Sequence, residues 1–249
     1  MIDKKHLFNK TIIRSYDIRG IYNKTLFDLD AKIIGNLFGL KVGKNKNVNI
    51  AYDGRLSSVS LKNELVEGLL EVGVNVTEIG LSPTPLLYFS CIKNNAAGGI
   101  MITGSHNPKH HNGFKFVFNN MPFYGDDLIK LSEKAKGFSF KRNRGKKIKQ
   151  CFKDEYIDRI FKGINLKNKY RIAWDAGNGV AGELMSKIAK KINNQNFLLF
   201  ENVDGNFPNH HPDPSNPKNL KDCINLIIQE KLDLGIAFDG DGDRIGVID

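Results

Sequence analysis

The chain has 249 residues, a formal charge of +10 and 41% hydrophobic content, room and apolar material for one large or two small packed domains. No run approaches the ~20 apolar residues that span a bilayer, and the opening Met1-Ile2-Asp3-Lys4-Lys5-His6 lacks a signal peptide's apolar segment, so a cytoplasmic protein with no membrane partner is expected. Cys91, Cys151 and Cys223 are far apart and odd in number, against a disulfide framework or zinc knuckle. The one dense basic block, Lys141-Arg142-Asn143-Arg144-Gly145-Lys146-Lys147, has no interleaved aromatics for base stacking, so no nucleic-acid partner is expected; a basic surface equally suits phosphorylated sugars.

Residues 14–22 read as a strand or hairpin interrupted by Asp17 and Gly20. Arg19 there has the fork of donors to hold a phosphate, or else pairs with Asp17. Helical spacing of Ile33, Ile34, Leu37 and Phe38 predicts a helix over 28–41, followed by a strand over 47–52 and a turn at Asp53-Gly54-Arg55. A second helix, 59–73, puts Leu61, Leu65, Leu69 and Val72 on one core-facing stripe. A strand over 74–79, a Pro83/Pro85 break, a helix through Tyr88 and Ile92, and a strand over 99–103 complete a β-α-β-α-β alternation. That pattern means a layered α/β sheet, with ligands expected where strands end.

The last of those strands runs into Thr103-Gly104-Ser105-His106-Asn107-Pro108. Gly104 is expected to turn the backbone tightly before Ser105, while His106 and Asn107 bring an acid/base-capable ring and an amide beside the hydroxyl. Such a serine suits a nucleophile or phosphoryl carrier, or is simply a polar turn. Lys109-His110-His111 reads as an exposed loop, because no third ligand has zinc-site spacing. In Gly113-Phe114-Lys115-Phe116, alternation sets Lys115 opposite two apolar neighbours, and nearby positive charge would lower its pKa and let it exchange protons with a hydroxyl.

A helix over 126–136 closes the first domain, expected at 10–140, and 137–150 reads as a linker. The second domain, 152–249, opens with a helix over 154–163 and a strand over 170–174. That strand meets Asp175-Ala176-Gly177-Asn178-Gly179, a tight turn without dinucleotide-binding spacing, and a helix through Leu184, Ile188 and Ile192. Asn216-Pro217 caps a helix whose Leu220, Ile224, Ile227 and Ile228 are expected to face inward. It feeds a strand, 234–238, that runs into Asp239-Gly240-Asp241-Gly242-Asp243-Arg244 and then the strand 245–248. Three carboxylates at alternate positions converge on a hard cation, or form a solvated acidic turn against their own repulsion. An EF-hand fails, because its sixth position needs glycine where Arg244 stands. An aspartyl-nucleophile phosphatase would need most of its sheet downstream.

Together, Thr-Gly-Ser-His-Asn-Pro and Asp-Gly-Asp-Gly-Asp-Arg resemble the α-D-phosphohexomutases, most closely the bacterial phosphomannomutase/phosphoglucomutase branch. Further matches lie at Tyr16-Asp17-Ile18-Arg19-Gly20, Asp53-Gly54-Arg55-Leu56-Ser57, Asn112-Gly113-Phe114-Lys115, Asp175-Ala176-Gly177-Asn178-Gly179 and Asp204-Gly205-Asn206-Phe207-Pro208-Asn209-His210-His211-Pro212. Phosphoglucosamine mutases usually have alanine at the place of Gly104. The resemblance implies two α/β domains with mixed sheets covered by helices. It also implies that Ser105 is carried as a phosphoserine whose phosphate shares one Mg2+ with Asp239, Asp241 and Asp243. Phosphoryl transfer would then interconvert hexose 1- and 6-phosphates of mannose or glucose through a 1,6-bisphosphate, with glucose 1,6-bisphosphate or an equivalent as primer. Lys115 would act as general acid/base and His106 would assist; Arg19 and Arg244 would neutralise charge, and Tyr16 would help shape the cleft wall. Complete members have four domains, so a chain ending at Asp249 is expected to lack the sugar-reading and phosphate-gripping loops and to turn over poorly. The other expectations are a non-catalytic phosphosugar- or metal-binding fragment, and a phosphoglucosamine mutase.

Overall fold

Apolar strands alternating with half-apolar helices build two mixed α/β sheets, seen in a computed structural model that describes residues 1–165, 170–193 and 195–249. The elements of the first part are β1 (Ile2–Lys4), β2 (Ile18–Ile21), α1 (Asp28–Val42), β3 (Asn47–Tyr52), α2 (Ser58–Glu71), β4 (Asn75–Leu81) and α3 (Thr84–Lys93). They continue through β5 (Gly98–Ile102), β6 (His111–Phe118), β7 (Met121–Phe123), α4 (Asp126–Lys134), β8 (Phe138–Phe140) and β9 (Lys147–Lys149). Strands β3, β4 and β5 are mutually parallel through their helical crossovers, β6 runs antiparallel between β5 and β2, and the sheet order is β2-β6-β5-β3-β4-β9. Helices α1 and α2 cover one face over a core that includes Leu37, Phe38, Leu61, Leu65, Ile100 and Phe114. They meet at backbone distance: a side chain at Gly35 would strike the Leu65 carbonyl at 2.3 Å.

The second part comprises α5 (Lys153–Phe161), β10 (Ile172–Asp175), α6 (Gly182–Ile192), β11 (Phe197–Leu199), α7 (Lys221–Glu230), β12 (Leu234–Phe238) and β13 (Ile245–Ile248), in the sheet order β11-β10-β12-β13. Its antiparallel pair β12–β13 is closed by residues 239–244, as β5–β6 is closed by 103–110. The two parts share apolar packing. Phe152 and Ile157 from α5 and its approach, with Leu184 of α6, join Ala51, Leu86, Leu87 and Met101 of the first sheet and α3. This contact brings the two hairpin loops together.

Two expectations change here. The supposed linker 137–150 holds two strands: β8 pairs with β1, and β9 extends the first sheet beside β4. Both are three residues long, too short for an alternation to stand out, although Phe140 of β8 is buried in the first core. On α7, the inward side is Cys223 with Leu226 and Ile227, and Ile228 is 70% exposed. A ten-residue helix over a small sheet needs only that narrow stripe.

Candidate functional site: a serine loop against an acidic loop

The serine loop is shaped from beneath by one buried cation. Arg55 donates from Nη2 to the carbonyls of Ser105 and Asn107, both at 2.7 Å, and from Nη1 to those of Pro108 (2.6 Å) and His111 (3.0 Å). Its Nε pairs with Asp53 at 3.1 Å, and Asp53 also accepts from the Thr103 hydroxyl (2.8 Å) and the Gly104 amide (3.1 Å). Gly104 is therefore needed for space, not for its turn: an added Cβ would lie 2.3 Å from the Arg55 guanidinium. The left-handed residue is Ser105 itself, at φ 49. From the second part, the Phe207 ring lies 5.3 Å from the Arg55 guanidinium carbon and His211 Nε2 shares a hydrogen bond with the His106 carbonyl.

The acidic loop faces that serine directly. Ser105 Oγ, fully buried, donates to Asp239 Oδ2 at 2.8 Å and accepts from Arg244 Nη2 at 2.7 Å. The loop backbones touch, since a Cβ at Gly240 would sit 2.4 Å from the Ser105 carbonyl oxygen. Oxygen atoms of Asp239, Asp241 and Asp243 lie within 4.8 Å of one another, the first two buried and the third exposed. Asp239 Oδ1 accepts from the amides of Asp243 and Arg244, both at 3.1 Å. Asp241 Oδ2 accepts from Lys115 Nζ at 2.7 Å and from the Thr84 hydroxyl, whereas its Oδ1, although buried, has no partner. A bare buried carboxylate oxygen beside two further carboxylates, all hard oxygen donors, fits a divalent cation such as Mg2+.

The electrostatics say the same. Burial first, then the charges of Asp241 and Asp243, push the Asp239 carboxyl up to about 7. Burial would also raise Asp241, but the Lys115 ammonium and the hydrogen bonds to it outweigh burial and hold it low. Lys115 departs from expectation. Burial lowers its pKa, yet Asp241 and Asp243, both ion-paired to it, raise it above the ordinary value overall. The positive neighbours inferred from sequence are less important than two carboxylates in contact. His106 is lowered by burial and by Arg244, so its ring is neutral at pH 7, and its Nδ1 accepts from Arg244 Nη2.

Arg19 joins both halves of its sequence reading: Nη1 donates to the Gly104 carbonyl, Nη2 pairs with Asp17, and Nε is buried without a partner. Tyr16 is 78% exposed on the tip of its turn, where its ring meets Tyr124 at 6.0 Å rather than the serine. The structure thus gathers Ser105, His106, Lys115, Arg19, Arg244 and the three aspartates, and leaves Tyr16 outside. Sequence reasoning missed the roles of Arg55 as the loop's organiser and of His211 at the His106 carbonyl, with Asp53-Gly54-Arg55 and Asn209-His210-His211-Pro212 as the available signals, and missed Thr84, which carries no local signal.

Two α/β units press a serine hydroxyl against an acidic trio, and comparison gives this arrangement a family. The chain belongs to the phosphoglucomutase/phosphomannomutase family: residues 10–156 match its alpha/beta/alpha domain I and residues 154–249 its alpha/beta/alpha domain II. It is 41% identical over 244 residues to a phosphoglucomutase of Neisseria meningitidis serogroup B, covering 96% of this chain and 53% of that protein. To a phosphomannomutase/phosphoglucomutase of Pseudomonas putida it is 39% identical over 240 residues, covering 96% and 52%. The crystal structure of a phosphoglucomutase/phosphomannomutase family protein from Burkholderia thailandensis superposes with a TM-score of 0.90 at 39% identity, over 97% of this chain and 55% of that one. The chain spans about half the length of the curated relatives it matches. Among the described residues, no helix is long and apolar enough to cross a membrane.

Proposed function

We propose that this chain carries the phosphoserine and metal-binding portion of a hexose-phosphate mutase acting between the 1- and 6-phosphates of mannose, glucose or both. The observation that carries the reading is the Ser105 hydroxyl held 2.8 Å from Asp239 and 2.7 Å from Arg244, across more than a hundred residues of sequence. Asp239, Asp241 and Asp243 would hold one Mg2+, which supplies charge neutralisation for a phosphoryl group in transfer.

In this reading the Ser105 Oγ–P bond breaks as a bond forms from a sugar hydroxyl to phosphorus, and the second phosphate of the bisphosphate later returns to Ser105. The chain's contribution is placement and charge. Arg244 donates to the serine oxygen, and Arg19 presents an unpartnered buried Nε beside the Gly104 carbonyl it already holds. Lys115 is protonated while Asp241 and Asp243 attract it, and they hold that proton more tightly than water would. When those carboxylates are neutralised the attraction is gone, and burial alone acts to lower its pKa, as a residue that gives and takes a proton requires. Neutral His106, its Nδ1 3.4 Å from the serine oxygen and accepting from Arg244, keeps that guanidinium beside the serine.

Gly104, where phosphoglucosamine mutases usually have alanine, and the stretch Asn209-His210-His211-Pro212 support the phosphomannomutase/phosphoglucomutase branch. Incubation with glucose 1,6-bisphosphate and Mg2+, followed by intact mass, tests the proposal. A single phosphoryl adduct absent from Ser105→Ala is expected; a chain that takes up no phosphoryl group is a binding fragment instead.

A further inference from the structure

We propose that Thr84 is a positioning residue for the divalent-ion site, holding Asp241 from the opposite domain so that one carboxylate oxygen stays turned to the ion. The inference rests on the reading of the aspartates as a metal site, and on atoms outside the trio itself. Thr84 is fully buried at the first position of α3, behind Pro83 in extended conformation and ahead of Pro85. A helix's first amides have no partner within the helix. The Thr84 amide finds one across the domain boundary, the Asp241 carbonyl at 2.9 Å, while its hydroxyl donates to Asp241 Oδ2. Thr84 thus grips one aspartate at both backbone and side chain.

The consequence is an asymmetry between two oxygens of one carboxylate. Oδ2 takes the Thr84 hydroxyl and Lys115 Nζ; Oδ1 takes nothing from the protein although it is buried. Lys115 alone cannot fix this orientation, because its ammonium is shared with Asp243 and rides on a flexible stem. Threonine is β-branched and stiff about its first torsion, and here it is anchored by a helix start. The packing leaves little slack, since a Cβ at Gly242 would come 3.1 Å from Pro83. Because Thr84 lies on one domain and Asp241 on the other, ion affinity and domain docking are coupled, and an ion that gains from docking must strengthen it in return.

The test is direct Mn2+ binding, followed by the paramagnetic signal of the free ion, with the unaltered 249-residue chain, Thr84→Val, Thr84→Ser and Thr84→Ala. Groups that hydrogen-bond a metal ligand and fix its orientation are typically worth about 10- to 100-fold in affinity. A loss in that range is expected for Thr84→Val and Thr84→Ala, with Thr84→Ser close to the unaltered chain and with a smaller Mn2+-induced rise in melting temperature for the two hydroxyl-free variants. Serine and alanine differ only by the hydroxyl, so this pair decides the matter should valine disturb folding. Unchanged affinity in Thr84→Ala, or equal losses in alanine and serine, overturns the proposal. Should Ser105 accept a phosphoryl group while Mn2+ affinity ignores Thr84, only this inference falls; should Ser105 accept none, the functional reading falls whatever the titration shows.

Discussion

The two loops that meet at the site are held by opposite means. The serine loop turns its carbonyls inward onto Arg55, a cation with no exposed side-chain surface, and the Asp53 beneath it comes from the same domain. The acidic loop carries three like charges, and the groups that steady Asp241 and Asp243, Thr84 and Lys115, come from the other domain. One loop is organised within its own domain; the other is assembled by docking. The proposed phosphoryl transfer would use this division, because a phosphoryl carrier must be aligned before reaction, whereas the charge that neutralises it has to accommodate more than one bound state.

Removing the serine loop's support is the strongest way to break the contrast. Arg55→Met leaves Asp53 unpaired and four carbonyls without their donor, and loss of one partner of a buried pair costs about 3–5 kcal/mol. In a chain of this size that lowers the melting temperature by on the order of 10 °C. Thermal unfolding should show the drop with Mg2+ present or absent. A melting temperature close to that of the unaltered chain would mean the loop does not depend on Arg55.

The acidic loop should respond with the opposite sign. Asp239→Asn removes one of three crowded charges, so without divalent ions it is expected to be no less stable than the unaltered chain, while losing the stabilisation by Mg2+. That stabilisation amounts to about 2.7 kcal/mol at a hundredfold excess over Kd. The pH dependence follows from the raised carboxyl. Its folded value, about 7, lies above the ordinary 3.8, so its contribution is complete below pH 3.8 and disappears as pH rises through about 7. Urea unfolding of the ion-free chain at pH 5 and pH 8 should therefore show a loss at high pH that Asp239→Asn lacks, and His106 and His111 cancel in that difference. Equal pH responses in the two proteins would place the shared proton elsewhere.

Much of this site was legible because its signals are local. Asp239-Gly240-Asp241-Gly242-Asp243 between two apolar strands, and Ser105 after another, announce themselves over six or so residues, as do the helices whose stripes become the α1 and α2 core. What escaped lies in long-range contacts. Nothing near Thr84 indicates that its hydroxyl meets a carboxylate 157 positions away, and nothing near Lys115 says that anions approach it more closely than cations. Gly104 was noticed for the wrong reason, because a residue's freedom can be read from its type but the guanidinium above it cannot. Strands β8 and β9 are three residues each, and although Phe138 and Phe140 of β8 pack on the first core, so short a stretch does not stand out from a basic segment.

The smallest expected effect isolates the backbone of the serine loop. Ser105→Ala and Ser105→Gly both lose the hydroxyl's bonds to Asp239 and Arg244, so their difference reports only the left-handed conformation at position 105. Alanine in that region costs about 1–2 kcal/mol relative to glycine, and glycine's greater freedom in the unfolded chain offsets roughly 0.4–1 kcal/mol of it. Ser105→Gly should therefore be the more stable by about 0.5 kcal/mol, resolvable by paired urea melts. Alanine equal to or above glycine would mean that Ser105 adopts its left-handed backbone only while its hydroxyl is bonded across the domain boundary, so that the serine loop too is set by docking and the distinction between the two loops collapses.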